Sequence, residues 1–133
     1  MRYIMDWRIP YSYICGSWLS DTNLLYLHYQ MIAKTPQTPY YAVIFTSLRT
    51  DGDNGYSAMS DEMITLASQQ EGFLGVESAR DGIGITVSYW KSMAAIKNWK
   101  ANTQHLQAQQ YGREKWYERY KVRICLVERD YEF

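Results

Sequence analysis

Charge of one sign, cysteine, proline and long apolar runs are all scarce in this 133-residue chain. Its 14 basic residues balance 14 acidic ones, so no net field draws it to nucleic acid or to an anionic membrane surface. No stretch reaches the roughly 18 consecutive apolar residues of a membrane-spanning helix. Only Arg2 precedes Asp6, with no continuous apolar stretch behind it, which is unlike a secretory signal. Cys15 and Cys125 lie far apart without metal-type spacing, and are expected as reduced thiols of a cytoplasmic protein. Cys125 falls within a strand pattern and is expected as a small core residue. The histidines are His28 and His105; that excludes a multi-histidine metal site, and no carboxylate cluster replaces it. The DGDNG run at 51–55 lacks the lysine and the spacing of a phosphate loop. No serine sits in a nucleophile elbow.

Aromatic side chains are abundant, 16% of the chain with 13 tyrosines and 5 tryptophans. Such an excess fills cores and interfaces, and it also suits a pocket for a flat, conjugated ligand. The length fits one domain. Its start is marked by TPQTP at 35–39, which holds two of the three prolines and reads as an extended linker. Residues 1–38 are therefore an extension and 39–133 the domain. The extension carries Tyr3, Trp7, Tyr11, Tyr13, Trp18, Tyr26 and Tyr29 with few charges. Only Leu24 to Ile32, behind an Asp21 or Thr22 cap, suggests helical turns. Two readings of it stay open: an added element that packs on the domain or on a partner copy, or an upstream reading of the gene with Met31 as the true start.

From Tyr40 the pattern is legible. YYAVIFTSLR, Tyr40 to Arg49, is apolar, β-branched and aromatic, which predicts a strand. Asp53 or Asn54 is placed to cap a helix on which Tyr56, Met59, Met63, Leu66 and Ala67 recur at helical spacing. FLGVESAR at 73–80 predicts a second strand, Asp81-Gly82 a tight hairpin, and ITVSYW at 85–90 the returning strand. Ser92 caps a helix carrying Met93, Ile96 and Trp99. Asn102-Thr103 breaks it, and Thr103 caps a second piece to about Tyr117. A last strand is expected from Lys121. The order β-α-β-β-α-β is ferredoxin-like, an α+β fold with an antiparallel sheet. In the third strand Ile83, Ile85, Val87 and Tyr89 share one face, and Gly84, Thr86, Ser88 and Trp90 the other. The expectation is that helices cover the first set. Thr86 and Ser88 then lie with the terminal strand in a homodimer interface.

GFLGVESARDGIGITVSYWKS at 72–92, the series Trp99, His105, Arg113, Trp116 and Tyr117, and VERDY at 127–131 stand out together. With YYAVIFTSLRTDGDNGY at 40–56 they cover most of the domain, which resembles the antibiotic-biosynthesis-monooxygenase (ABM) family. The resemblance implies a dimeric α+β barrel with a ligand cavity in each protomer between helices and sheet. One branch of that family oxidises phenols with oxygen and no cofactor; this implies a cofactor-independent monooxygenase of an aromatic small molecule. The alternatives are a non-catalytic ligand-binding or stress-related dimer, and a haem-degrading enzyme. In the haem branch a tryptophan is followed about ten residues on by the haem-ligating histidine, and a first-strand asparagine completes the site. Trp99 matches the tryptophan, but the histidine place falls at Gln109, one turn past His105, and the asparagine place near Ser47 or Leu48.

The cofactor-free chemistry needs a dry aromatic pocket, a group to orient the phenol, a cation for the anion and a base. Trp90, Trp99 and Trp116 are the candidate walls and Tyr41 or Tyr89 the hydrogen-bonding group. Arg113 is the candidate cation and His105 the base. Each has a structural reading too. His105, Ala108, Gly112 and Trp116 share one helical stripe, where a neutral imidazole can simply bond a backbone carbonyl. Arg113 can pair with Glu114 or Glu118 at the surface. Gly112 within a helix destabilises it by about 1 kcal/mol relative to alanine, which a close approach at that point would explain.

Overall fold

The computed structural model describes residues 32–133. The aromatic leader, with its expected helical turns and Cys15, falls outside them. Strand β1 (Tyr40–Arg49) leads to helix α1 (Tyr56–Ser68), then to β2 (Phe73–Asp81) and β3 (Ile83–Trp90). Helices α2 (Met93–Ala101) and α3 (Thr103–Tyr111) follow, then one π-helical turn (Gly112–Trp116) and β4 (Tyr117–Val127). The sheet order is β2-β3-β1-β4, with every neighbouring pair antiparallel. This is the expected ferredoxin-like α+β arrangement.

Local chemistry explains most boundaries. Asp53 accepts the Ser57 and Gly55 N–H groups, each at 3.1 Å, and opens α1 across a turn in which Asn54 and Gly55 take positive φ. Ser92 Oγ accepts the Ala95 N–H at 3.1 Å and starts α2. Asn102 leaves the helix with ψ 131°, and its Oδ1 accepts the His105 N–H at 3.4 Å. The cap of α3 thus falls on Asn102, one residue before the expected Thr103.

The second helical piece also ends sooner than its pattern suggests. Gly112 lies against Tyr117, whose ring a Cβ would meet at 3.0 Å. Two tethers from Thr50 then draw the chain into the sheet: its N–H donates to the Trp116 carbonyl at 3.1 Å, and its Oγ1 to the Lys115 carbonyl at 2.6 Å. The helix widens into a π turn, and β4 begins at Tyr117 rather than Lys121.

The core corrects the assignment of sheet faces. Ala67 of α1, Ala95 and Ile96 of α2 and the fully buried Trp90 form the central cluster, with Tyr41, Val43, Phe73 and Trp99 around it. Trp90 therefore faces the helices. By alternation so do Ser88, Thr86 and Gly84, and Thr86 and Ser88 leave the expected interface. The indole is the largest single side chain of the strand, and it is the one that Ala67, Ala95 and Ile96 of the two helices enclose. The open face instead carries Ile83, Ile85, Val87 and Tyr89, beside Ala42, Ile44, Leu48 and Cys125. Ile83 is 49% exposed there, Ile85 42% and Leu48 42%. Cys125 is a half-buried member of this face rather than a core residue.

The segment before β1 is tied to the sheet. The Ala33 N–H donates to Glu77 Oε1 at 2.8 Å, and Ala33 rests on Gly75, where a Cβ would approach within 2.9 Å. Thr35 Oγ1 donates to the Tyr40 hydroxyl, which donates to Asp130 at 2.6 Å. One phenol thus fastens both the linker and the C-terminal tail.

Candidate functional site

Three aromatic rings lie in series on the helix side. Trp90 ends β3, Trp99 sits on α2, and the break at Asn102 turns α3 back so that its first turn delivers His105. Trp90 and Trp99 stack with centroids 6.2 Å apart, and Trp99 and His105 at 4.3 Å with 13° between planes. His105 Nδ1 lies 3.0 Å from the Trp99 carbonyl oxygen. A carbonyl only accepts, so Nδ1 carries the proton and Nε2 holds the basic lone pair. Burial pushes the imidazole below its ordinary value, opposed by the Trp99 carbonyl and aided by Lys100. The ring is neutral at pH 7, with its tautomer set by the backbone. The carbonyl that His105 bonds is that of Trp99, on the preceding helix.

Further along α3 and the π turn, Leu106, Gln109, Gln110, Arg113 and Glu114 line an open cleft of about 370 Å³. Arg113 is exposed, and its Nε donates to the Tyr120 hydroxyl of β4 at 2.9 Å. That bond raises the guanidinium further above its ordinary value, and it replaces the expected pairing with Glu114 or Glu118. His105 and Arg113 lie eight residues apart, roughly 12 Å at 1.5 Å per residue.

The other expected site residues spread out. Tyr41 lies beside Trp90 in register and packs on the core. Trp116 is buried at the opposite end of the sheet, where its Nε1 donates to the Asn54 carbonyl at 3.0 Å and its ring meets Tyr56. Tyr89 projects from the open face. Its hydroxyl donates to Glu77 at 2.9 Å, and burial followed by that carboxylate pushes it up to about 12. It cannot share a helix-side pocket with Trp90 and Trp99. Trp90, Trp99, His105 and Tyr41 are brought together, and Arg113 stands two turns away.

Sequence reasoning missed a second group at the Trp116 end. Arg49 ends β1, Arg80 lies near the end of β2, and Ser47 is buried between them on the helix side. Arg80 Nη2 donates to Ser47 Oγ at 2.8 Å. The Arg49 guanidinium carbon lies 3.6 Å above the Tyr56 ring, and that of Arg80 6.0 Å from it. Tyr117 completes the group: burial first, and Tyr56 next, push its phenol well above the ordinary value. Each arginine reads in sequence as an ordinary strand-end charge. The available hint was Gly84 in the alternating third strand, since a glycine inside a strand marks a close approach.

The donor set does not fit haem. Gln109 stands at the expected axial place and lines the cleft, and Ser47 stands at the asparagine place with its hydroxyl taken by Arg80. No step through haem follows.

Comparison with known proteins agrees with this architecture. The profile of the antibiotic biosynthesis monooxygenase family matches residues 39–111. The uncharacterised Bacillus subtilis protein YqjZ is 53% identical over 100 residues, 74% of this chain and 88% of its own. SnoaB, a cofactor-independent oxygenase from Streptomyces nogalater, superposes with a TM-score of 0.57 at 10% identity, covering 71% of this chain and 97% of SnoaB. A Shewanella oneidensis protein superposes with a TM-score of 0.61 at 12% identity, covering 68% of this chain and 93% of its own. At such low identity the two structures speak for the fold alone. Matched over more than half its length by the family profile and by a half-identical relative, the chain belongs to the antibiotic biosynthesis monooxygenase family.

Proposed function

We propose that the protein is a cofactor-independent monooxygenase of a small phenolic or anthrone-like molecule, with His105 as its base. The observation that carries this reading is the stacked, carbonyl-bonded imidazole. Its ring is locked flat on Trp99, it is neutral at pH 7, and Nε2 is left as the proton acceptor. The Trp90 and Trp99 rings back the imidazole in series, and the cleft in which a conjugated ring would lie runs further along the same helix past Leu106 and Gln109. Arg113, at the edge of the cleft, offers a cation for the enolate or phenolate.

In the proposed step Nε2 takes one proton from the ring carbon of the substrate. The resulting carbanion gives its electrons to dioxygen, forming a carbon–peroxide bond. Loss of the second hydrogen from that carbon, with cleavage of the O–O bond, leaves a new carbonyl and one water. One oxygen atom enters the product and the other is reduced, so the substrate supplies all the electrons. The protein's task is to hold the ring, take the proton and stabilise the anion.

The same proposal includes a homodimer closed over the open sheet face and the cytoplasmic setting inferred from the thiols. Among the described residues no helix is long and apolar enough to cross a membrane. The test is oxygen uptake with an anthrone or hydroquinone substrate. His105→Gln is expected to lower the rate roughly 10²-fold, the scale of one general base, with the fold retained. An unchanged rate removes His105 from the mechanism. Saturable binding without oxygen uptake by the wild type makes the chain a ligand-binding module instead.

A further inference from the structure

At the end of the sheet remote from His105, Arg49 and Arg80 converge on the face of Tyr56. Among the described residues neither guanidinium forms an ion pair. Arg49 spends one terminal nitrogen on the Gly52 and Asp53 carbonyls, at 2.9 and 3.2 Å, and its buried Nε has no hydrogen-bond partner. A buried, unsatisfied charged donor is destabilising unless something else occupies it. Asp53 is near enough to feel Arg49, but its carboxylate is held by Ser57 and by the Gly55 N–H.

Arg80 is held across the sheet by Ser47. It can lie there only because residue 84 has no side chain: a Cβ on Gly84 would stand 2.1 Å from Arg80 Nη2. Tyr56, Tyr117 and Phe45 supply ring faces around the pair, with Tyr56 and Tyr117 centroids 5.8 Å apart and Phe45 and Tyr117 5.3 Å apart.

We infer that Arg49, Arg80, Ser47, Tyr56 and Tyr117 form a binding site for the carboxylate of a small aromatic acid. Two planar guanidiniums match the two oxygens of a carboxylate, and the rings take the aryl group. The assignment rests on this geometry and not on the role of His105.

Benzoate is the probe, titrated by calorimetry into the full chain at low salt, with benzamide as the uncharged isostere. The wild type is expected to bind benzoate saturably and benzamide not at all. Arg80→Gln and Arg49→Gln should each weaken binding about tenfold or more, the scale of one charge-assisted pair. Gly84→Ala should weaken it too, by displacing Arg80. Arg123→Gln, on the open face, should leave it unchanged. The proposal is overturned if the wild type shows no saturable binding, if benzamide binds equally well, or if both arginine variants bind undiminished. Loss of benzoate binding in His105→Gln would overturn it as well, since the ligand would then sit at the imidazole. The benzamide comparison needs no variant, so a misfolded mutant does not rescue the idea.

Discussion

At the scale of single residues, His105 is informative because its environment fixes both its tautomer and its charge. A histidine whose folded value is depressed binds protons less readily in the native state than in the unfolded chain. Its neutral form is thus favoured by folding. The associated stability is fully present above the unfolded value near 6.5 and is lost as pH falls through the lower folded value. The melting temperature should therefore drop between pH 7 and pH 5, and His105→Gln should flatten that slope in a pH series of thermal melts; an unaltered slope would mean the imidazole titrates normally. Gly84 makes a different demand. The atom its Cβ would strike is the far end of a flexible arginine, not backbone. Gly84→Ala should accordingly lower stability only slightly while moving the Arg80 guanidinium off Ser47, which a crystal structure of the variant would reveal. A large loss of stability would show that the glycine serves the backbone instead.

At the scale of elements, Trp90 decides which face of β3 is inside. Trp90→Ala should destabilise the domain by about 3–5 kcal/mol, the range for large aromatic truncations in a core, measured by denaturant unfolding. The linker is also a structural element, through Ala33 on Glu77 and Thr35 on Tyr40. A chain beginning at Met31 keeps both contacts and should melt within a few degrees of the full chain. A large drop would assign the preceding residues a packing role.

Strand β1, helix α1 and the Asp81-Gly82 hairpin were readable from sequence because local signals agree there: β-branched runs, a cap, and a turn glycine with φ 75°. The faces of β3 were misread because both sets of alternating residues contain apolar members, and burial is settled by the helices that arrive later in the chain. The π turn left no signal beyond Gly112, since the pull comes from Thr50, more than sixty residues away. For the site, His105, Trp99 and Trp90 were legible as a series of aromatic residues along one region. The Arg49–Arg80 pair was not, because only the register of β1 on β3 and of β3 on β2 brings Ser47, Gly84 and Arg80 side by side.

At the scale of the whole molecule, the open face is the unfinished surface. Leu48, Ile83 and Ile85 lie together there by register, half in water, and a contiguous apolar patch of this kind is usually covered by a partner. A second copy is the proposed cover. Sedimentation should give a dimer at micromolar concentration, and Ile85→Lys should yield a folded monomer, because a charge at the centre of an isologous interface meets its own symmetry mate. A wild-type monomer would remove the shared barrel from the proposal. Strand β4 is the opposite edge. Its helix-side Val122, Ile124 and Leu126 are each about half exposed, while Arg119, Lys121 and Arg123 alternate with them. Positive charges along an exposed edge discourage unwanted strand pairing.

The contact between Trp99 and His105 makes the indole an optical indicator of the neighbouring ring. A neutral imidazole lying flat on tryptophan leaves its emission largely intact, whereas an imidazolium in the same place withdraws electron density from the excited state and dims it. Acidifying the protein should therefore darken one tryptophan in step with proton uptake, and a ligand that seizes Nε2 should shift the midpoint of that darkening. The fold carries its own pH-sensitive fluorophore at the place where the proposed chemistry begins.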